Sequence, residues 1–162
     1  MLKGLTNLTK YEEELERAKE LGLAVYEGFH FCSSADGMIV GSKIALSDKL
    51  TTSAEKLCVL AEEIAHSEVS VRNILDARNP NNRHEEVIAR RKAHDRVIGI
   101  PRLAEALKSG CSTFYEVSEY LGVTESFLRE AIEQYSHRYG KWLSYEGKWL
   151  SLEPLGLLEI KE

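Results

Sequence analysis

A capping box opens the stretch of sequence that most constrains the fold. In Thr52-Ser53-Ala54-Glu55 the threonine side chain and the glutamate carboxylate can each satisfy a backbone N–H of a first helical turn. The apolar residues that follow recur at helical spacing and predict one buried face, formed by Leu57, Leu60, Ala61 and Ile64. The rest of the chain must therefore pack around one central amphipathic helix.

A separate polar line runs along the same predicted helix, because Cys58, Glu62 and His66 are each four residues apart. Side chains at this spacing project from one face about one turn apart, so Glu62 and His66 can bind one ion. Glu63 points to an adjacent face, where it is a candidate general base. Cys58 is predicted to be a small buried residue. The alternative is that Glu62 and Glu63 form an ordinary acidic helix surface and that His66 is structural.

Length and composition limit the classes of protein to which this chain can belong. The 162 residues suit one domain, or one domain with a small appendage. The net charge of −5 opposes direct DNA binding, which needs a basic surface. The three cysteines are too widely spaced for a Cys-x-x-Cys site or a disulfide framework. No apolar run approaches the roughly 20 residues of a membrane span, and the N-terminus lacks a signal-peptide core, so we expect a cytoplasmic protein with no membrane partner.

Upstream of the central helix the patterns predict one helix and a small sheet. Residues 9–21 have helical periodicity after a possible Thr9 cap, and Gly22 ends the pattern. Short β-type runs at residues 23–25, 38–40 and 43–46 predict a sheet of about three strands.

Downstream, a polar segment from Asp76 to Asn82 predicts a loop. Residues 85–98 then predict a third helix capped by Asn82, and a further helix ends at Ser109-Gly110. An internal boundary is expected between residues 99 and 110, which divides the chain into residues 1–99 and residues 100–162.

The last third of the chain has the pattern of a helix-turn-helix followed by a hairpin. Gly122 stands in the turn, and the hairpin at residues 142–152 has a Glu-Gly turn. This order is typical of a winged helix. The second helix of the pair presents Glu125, Glu130 and Glu133, which would repel phosphates, so we interpret the motif as structural or protein-docking.

Taken together, these segments resemble the ImmA/IrrE family of metallopeptidases, in the form carried by phages and mobile elements. The resemblance rests on residues 60–66, 82–91 and 115–128, and it covers nearly the whole chain. It implies an α+β fold, mostly helical, in which a small N-terminal sheet packs on a zincin-like helix pair. A winged-helix-like unit with a C-terminal hairpin follows.

The resemblance also implies a zinc-dependent endopeptidase that cleaves a transcriptional repressor. The family pattern is His-Glu-x-x-His, with a third ligand, a glutamate, on the next helix, three residues before an alanine. In this sequence His66 and Glu86 match metal ligands, Glu63 matches the catalytic base, and Glu62 stands in the place of the first histidine. Phage-type members often have this Glu-Glu pair. If the register of the third helix differs, Glu85 or His84 takes the place of Glu86.

The donor set Glu62, His66 and Glu86 is chemically suited to a metal ion. Zinc accepts imidazole nitrogen and carboxylate oxygen, and a site with two carboxylates also suits Mn²⁺ or Fe²⁺. His94 lies two turns beyond Glu86 and is expected at the surface, where contact with substrate is the alternative.

Two other functions stay open at this point. A catalytically degenerate scaffold would bind a repressor, or another protein partner, without cleaving it. A transcription factor would use the winged helix directly.

Overall fold

The computed structural model describes residues 7–74 and 82–159, which form an α+β fold that is mostly helical. The elements of the first part are α1 (Lys10–Glu20), β1 (Ala24–Phe29), β2 (Gly37–Val40), β3 (Lys43–Ser47) and α2 (Ser53–Ile74). Those of the second part are α3 (Asn82–Val97), α4 (Gly99–Lys108), α5 (Phe114–Leu121), α6 (Glu125–Tyr139), β4 (Trp142–Tyr145), β5 (Lys148–Leu152) and β6 (Leu155–Leu158). Within these described ranges, no helix has the length and apolar character needed to cross a membrane.

The predicted helix starts are formed by capping boxes. Thr9 accepts the N–H of Glu12 at 3.3 Å, and the Glu12 carboxylate accepts the N–H of Thr9 at 2.7 Å. Thr52 accepts the N–H of Glu55 at 3.1 Å, and that carboxylate accepts the N–H of Thr52 at 3.0 Å. The predicted start of the third helix is wrong by three residues, since α3 already includes Asn82. Most of the predicted loop, residues 76–81, lies outside the described residues.

The first sheet has the strand order β1-β3-β2, with β3 parallel to β1 and antiparallel to β2. Ile44 in β3 lies between Val25 and Ile39, and this row faces the same apolar cluster as Leu60 and Ile64 of α2. The strand predicted at residues 23–25 is longer than expected, because pairing with β3 continues to Phe29. The central helix is thus covered on one side by the sheet, with β2 at an edge.

The second sheet contains the predicted hairpin and one strand that was not predicted. Glu146 and Gly147 have φ values of 49° and 74°, as a two-residue hairpin turn requires, and they join β4 to β5. β6 adds antiparallel to β5. Its sequence begins just after Pro154 and contains Gly156, and both residue types are depleted in strands, which conceals the β pattern.

One apolar cluster extends across the expected boundary near residue 99. Leu57 of α2, Leu103 of α4, Leu128 of α6 and Leu150 of β5 belong to it and are at most 1% exposed. In α6 the apolar side chains of Phe127, Leu128 and Ile132 are all buried. Gly122, with φ of 71°, ends α5 as the turn pattern predicted.

Small residues form the contact between α2 and α3, which pack against each other more extensively than any other pair of elements. The alanines in this part of the core have no exposed surface: Ala61, Ala65, Ala89 and Ala93. Arg96 of α3 then donates to the carbonyl of Ala61 at 2.9 Å and to the buried carboxylate of Glu14 in α1 at 3.0 Å. Arg96 therefore links α1, α2 and α3 through its hydrogen bonds.

We expect Ala89→Leu to destabilise the protein by about 1–3 kcal/mol, because three extra carbon atoms do not fit between closely packed helices. Urea unfolding followed by circular dichroism measures the change. Ala24→Leu, at an exposed position of β1, is the control and should stay within about 0.5 kcal/mol of the parent. An Ala89→Leu variant as stable as the parent would show that the helix contact is loose.

Candidate metal centre

His66 and Glu86, twenty residues apart in sequence, are brought together by α2 and α3. The Nε2 atom of His66 lies 3.3 Å from Oε2 of Glu86, and both side chains are partly exposed. Glu86 of α3 is thus in contact with the imidazole of His66, while its assignment as a metal ligand stays a prediction. A histidine nitrogen and a carboxylate oxygen, held side by side at the end of a packed helix pair, are two donors that a transition metal accepts.

The carboxylates of Glu62 and Glu63 are half-buried in α2. Burial raises the pKa of Glu62 to about 7, with nearby carboxylates adding to the effect and the Arg90 guanidinium opposing it. Burial likewise raises the pKa of Glu63 to about 7, and the charges of Glu62 and Glu86 contribute. A carboxylate whose pKa is near neutral can both accept and release a proton under working conditions.

Glu63 lies directly beneath the start of the edge strand β2. A methyl group on Gly37 would come within 3.1 Å of Oε1 of Glu63 and within 2.5 Å of Cγ1 of Val59. Only glycine lets α2 approach the strand this closely. The candidate base is therefore placed against the backbone of an edge strand.

Two residues of the centre were missed from the sequence. Nε of Arg90 donates to Oε1 of Glu86 at 3.0 Å, and its Nη1 lies 3.8 Å from Oε2 of Glu130 in α6. The spacing of four between Glu86 and Arg90 on one helix was a usable signal for the first contact. The contribution of Glu130 had no local signal, because it depends on how α6 packs against α3.

Glu62 lines a cleft of about 370 Å³ between the first sheet, α2 and the start of α6. Asp36, Cys58 and Glu130 are also in its wall, whereas His66 and Glu86 are not. Cys58 is 6% exposed and accepts a weak hydrogen bond from the Thr124 hydroxyl at 3.8 Å. Burial raises the pKa of its thiol to about 11, so Cys58 stays protonated and is the small buried residue that was predicted.

The predicted donors suit a divalent cation chemically but do not all converge. Among residues 7–74 and 82–159, no three histidine, cysteine, aspartate or glutamate side chains are grouped so that they could hold a metal ion. His66 and Glu86 are paired, while Glu62 lines the neighbouring cleft. One imidazole and two carboxylates remain a set that zinc, manganese or iron accepts, provided that Glu62 turns to join the pair.

The expectation of a surface His94 is wrong, since this side chain is 1% exposed. Its Nδ1 lies 3.2 Å from Oε1 of Gln134, and its ring meets the Phe127 ring edge-on at 4.7 Å. The packing of α6 over this face of α3 causes the burial, which lowers the pKa of His94. The His94 ring is part of the interface between the two helices.

The raised pKa values of Glu62 and Glu63 predict a pH-dependent effect on stability. Between about pH 4.5 and 7 the folded chain keeps these two protons, whereas the unfolded chain has lost them. The stability that the protonated carboxyl groups contribute is therefore full below about pH 4.5 and is lost as the pH rises through about 7. Glutamine cannot ionise. We therefore expect the stability of Glu62→Gln relative to the parent to be greater at pH 8 than at pH 4. The difference in the free energy of unfolding between variant and parent should rise by about 1–3 kcal/mol.

Urea unfolding at the two pH values measures this difference, and Glu116→Gln provides a control of opposite sign. Hydrogen bonds from the backbone of Ser112 and Thr113 lower the pKa of Glu116, so its stabilising effect is present at high pH and is lost as the pH falls. The stability of Glu116→Gln relative to the parent should therefore be lower at pH 8 than at pH 4. A Glu62→Gln difference that is equal at both pH values would contradict the desolvation of Glu62.

Comparison with known proteins yields no relative for this chain. No protein-family model matches the sequence, and neither a curated protein nor a solved structure is significantly similar to it. The chemistry and geometry of the centre around His66 and Glu86 are therefore the basis on which a function is proposed.

Proposed function

We propose that this chain is a zinc-dependent endopeptidase of the zincin-like type, and that its substrate is a transcriptional repressor of a phage or mobile element. The observation that carries the proposal is the contact of His66 with Glu86 at 3.3 Å across α2 and α3. These two residues are distant in sequence, both match ligand positions of the metallopeptidase pattern, and their side chains are in contact. The choice of substrate rests on the ImmA/IrrE resemblance of the sequence.

Each residue of the centre has a role in this proposal. His66, Glu86 and Glu62 would hold the cation, which, when bound, polarises a peptide carbonyl and makes water more acidic. Glu63 accepts a proton from the attacking water and passes it to the leaving amine. Its pKa of about 7 suits both transfers. Mn²⁺ or Fe²⁺ is the alternative to Zn²⁺, because two of the three ligands are carboxylates.

The position of β2 supports a peptide substrate. Within the described chain β2 pairs with β3 on one side only, so its other edge has backbone groups available to an extended peptide. Gly37, at the start of this strand, lies against Glu63. A peptide added along the edge would pass beside the candidate base.

A second candidate function is a scaffold that binds the repressor without cleaving it. It is favoured by Arg90, whose guanidinium lies between the carboxylates of Glu86 and Glu130 and opposes the rise that burial causes in the pKa of Glu62. This internal cation offsets part of the negative charge that a metal ion would otherwise neutralise. Glu62 in place of an imidazole also changes the ligand set.

Metal content separates the two candidates. We expect protein purified without chelator to contain close to one equivalent of zinc, manganese or iron by mass spectrometry, and His66→Ala to lose most of it, because an imidazole ligand is removed. Glu62→His should retain metal and bind zinc more tightly than the parent in a chelator competition. Equal metal content in the parent and in His66→Ala would end the metallopeptidase proposal.

Cleavage is tested with the repressor encoded nearest to this gene. We expect the parent with bound metal to produce two fragments, and Glu63→Gln to cleave about 10²–10⁴-fold more slowly while keeping its metal, because only the proton acceptor is lost. Gel electrophoresis and mass spectrometry follow the fragments. A repressor that stays intact but co-elutes with the parent would instead support the scaffold.

A further inference from the structure

A second cavity, of about 520 Å³, lies in the C-terminal part of the chain between α6 and the end of β5. Its apolar wall is formed by Phe114, Ile132, Leu152, Pro154 and Leu155. Pockets for small ligands usually measure about 300–1,000 Å³ and are mainly apolar with a few polar groups. This cavity has both properties.

The cavity is separate from the candidate metal centre. α6 contributes Ile132 and Ser136 to the cavity, whereas Glu130 of the same helix turns towards Arg90 and the cleft of Glu62. None of the predicted metal ligands lines it. The evidence for a ligand in this cavity is therefore separate from the evidence for the proposed peptidase function.

The charges at the rim of the cavity are unevenly compensated. Arg129 pairs with Glu125 and places its guanidinium 4.2 Å from the centre of the Phe114 ring. Nζ of Lys141 lies 3.0 Å from the carboxylate of Glu153. The arginine and the lysine at the rim are thus both already paired.

Glu133 is the rim charge that lacks such compensation. Among the residues that the structure describes, no lysine or arginine pairs with it, and the closest basic atom is Nε2 of His137 at 3.9 Å. The cavity therefore combines an apolar interior with one available negative charge at its edge.

We propose that this cavity binds a small amphipathic cation, with its apolar body against Ile132, Leu152 and Leu155 and its positive group beside Glu133. The apolar wall supplies the binding energy by removing hydrocarbon from water. The carboxylate at the rim selects the charge of the ligand. The wall already accepts a cation, since the Arg129 guanidinium covers the Phe114 ring.

Isothermal titration calorimetry of the full chain with octylammonium, octanol and octanoate tests this proposal. We expect octylammonium to bind most tightly and octanoate least tightly. Glu133→Gln should weaken octylammonium about two- to five-fold, as the loss of an exposed charge pair would, and leave octanol unchanged. Ser136→Phe should weaken both octylammonium and octanol about ten-fold or more, because the new ring fills the cavity.

Two control variants match these changes at sites away from the cavity. Glu119→Gln removes an exposed carboxylate from α5, and Ser144→Phe adds a ring to the exposed face of β4. Neither should alter binding. The proposal is overturned if octylammonium does not bind, if octanoate binds as tightly, or if Glu133→Gln affects the cation and the alcohol equally. Glu133 is exposed, so its variant keeps the test valid even if Ser136→Phe does not fold.

Discussion

The close packing of α2 against α3 is the contact on which the rest of the structure depends. Alanines with no exposed surface occupy this part of the core on both helices. Small side chains let two helices pack closely, and across this helix pair His66 and Glu86 meet at 3.3 Å. Arg96 strengthens the arrangement from the far end of α3, where it joins the carbonyl of Ala61 to the buried Glu14 of α1.

The same packing determines the electrostatics of the candidate centre. Glu62 and Glu63 lose water because α2 packs against the first sheet and against α3, and their pKa values rise to about 7. An acidic group that is desolvated and close to other carboxylates favours either a proton or a cation. Arg90 supplies part of that positive charge. A bound metal ion would supply more positive charge. The peptidase and the scaffold therefore differ chiefly in which cation neutralises these carboxylates, the metal ion or Arg90.

Local signals predicted much of the fold. The capping boxes at Thr9 and Thr52, the left-handed Gly122 and the Glu146-Gly147 turn each depend on residues close in sequence, and all are present as predicted. β6 was missed because Gly156 and the preceding proline weaken the strand pattern. The placement of His66 and Glu86 at one site was predicted from a family resemblance and from no local signal.

Features that depend on tertiary packing could not be read from the sequence. His94 belongs to a polar helix and looked exposed, yet α6 covers it through Gln134 and Phe127. Glu130 looked like one of several surface acids, yet it faces Arg90 and the cleft of Glu62. The burial of His94 and the position of Glu130 both result from the packing of α6 on α3. The residue periodicity within a single helix does not predict such packing.

The most direct test of the central claim is anomalous diffraction at the zinc absorption edge, from crystals of the parent chain grown with zinc. We expect one strong peak bonded to Nε2 of His66 and to the Glu86 carboxylate, with the Glu62 carboxylate completing the set of ligands. A map without a peak between His66 and Glu86, in which the two side chains remain in direct contact, would contradict it.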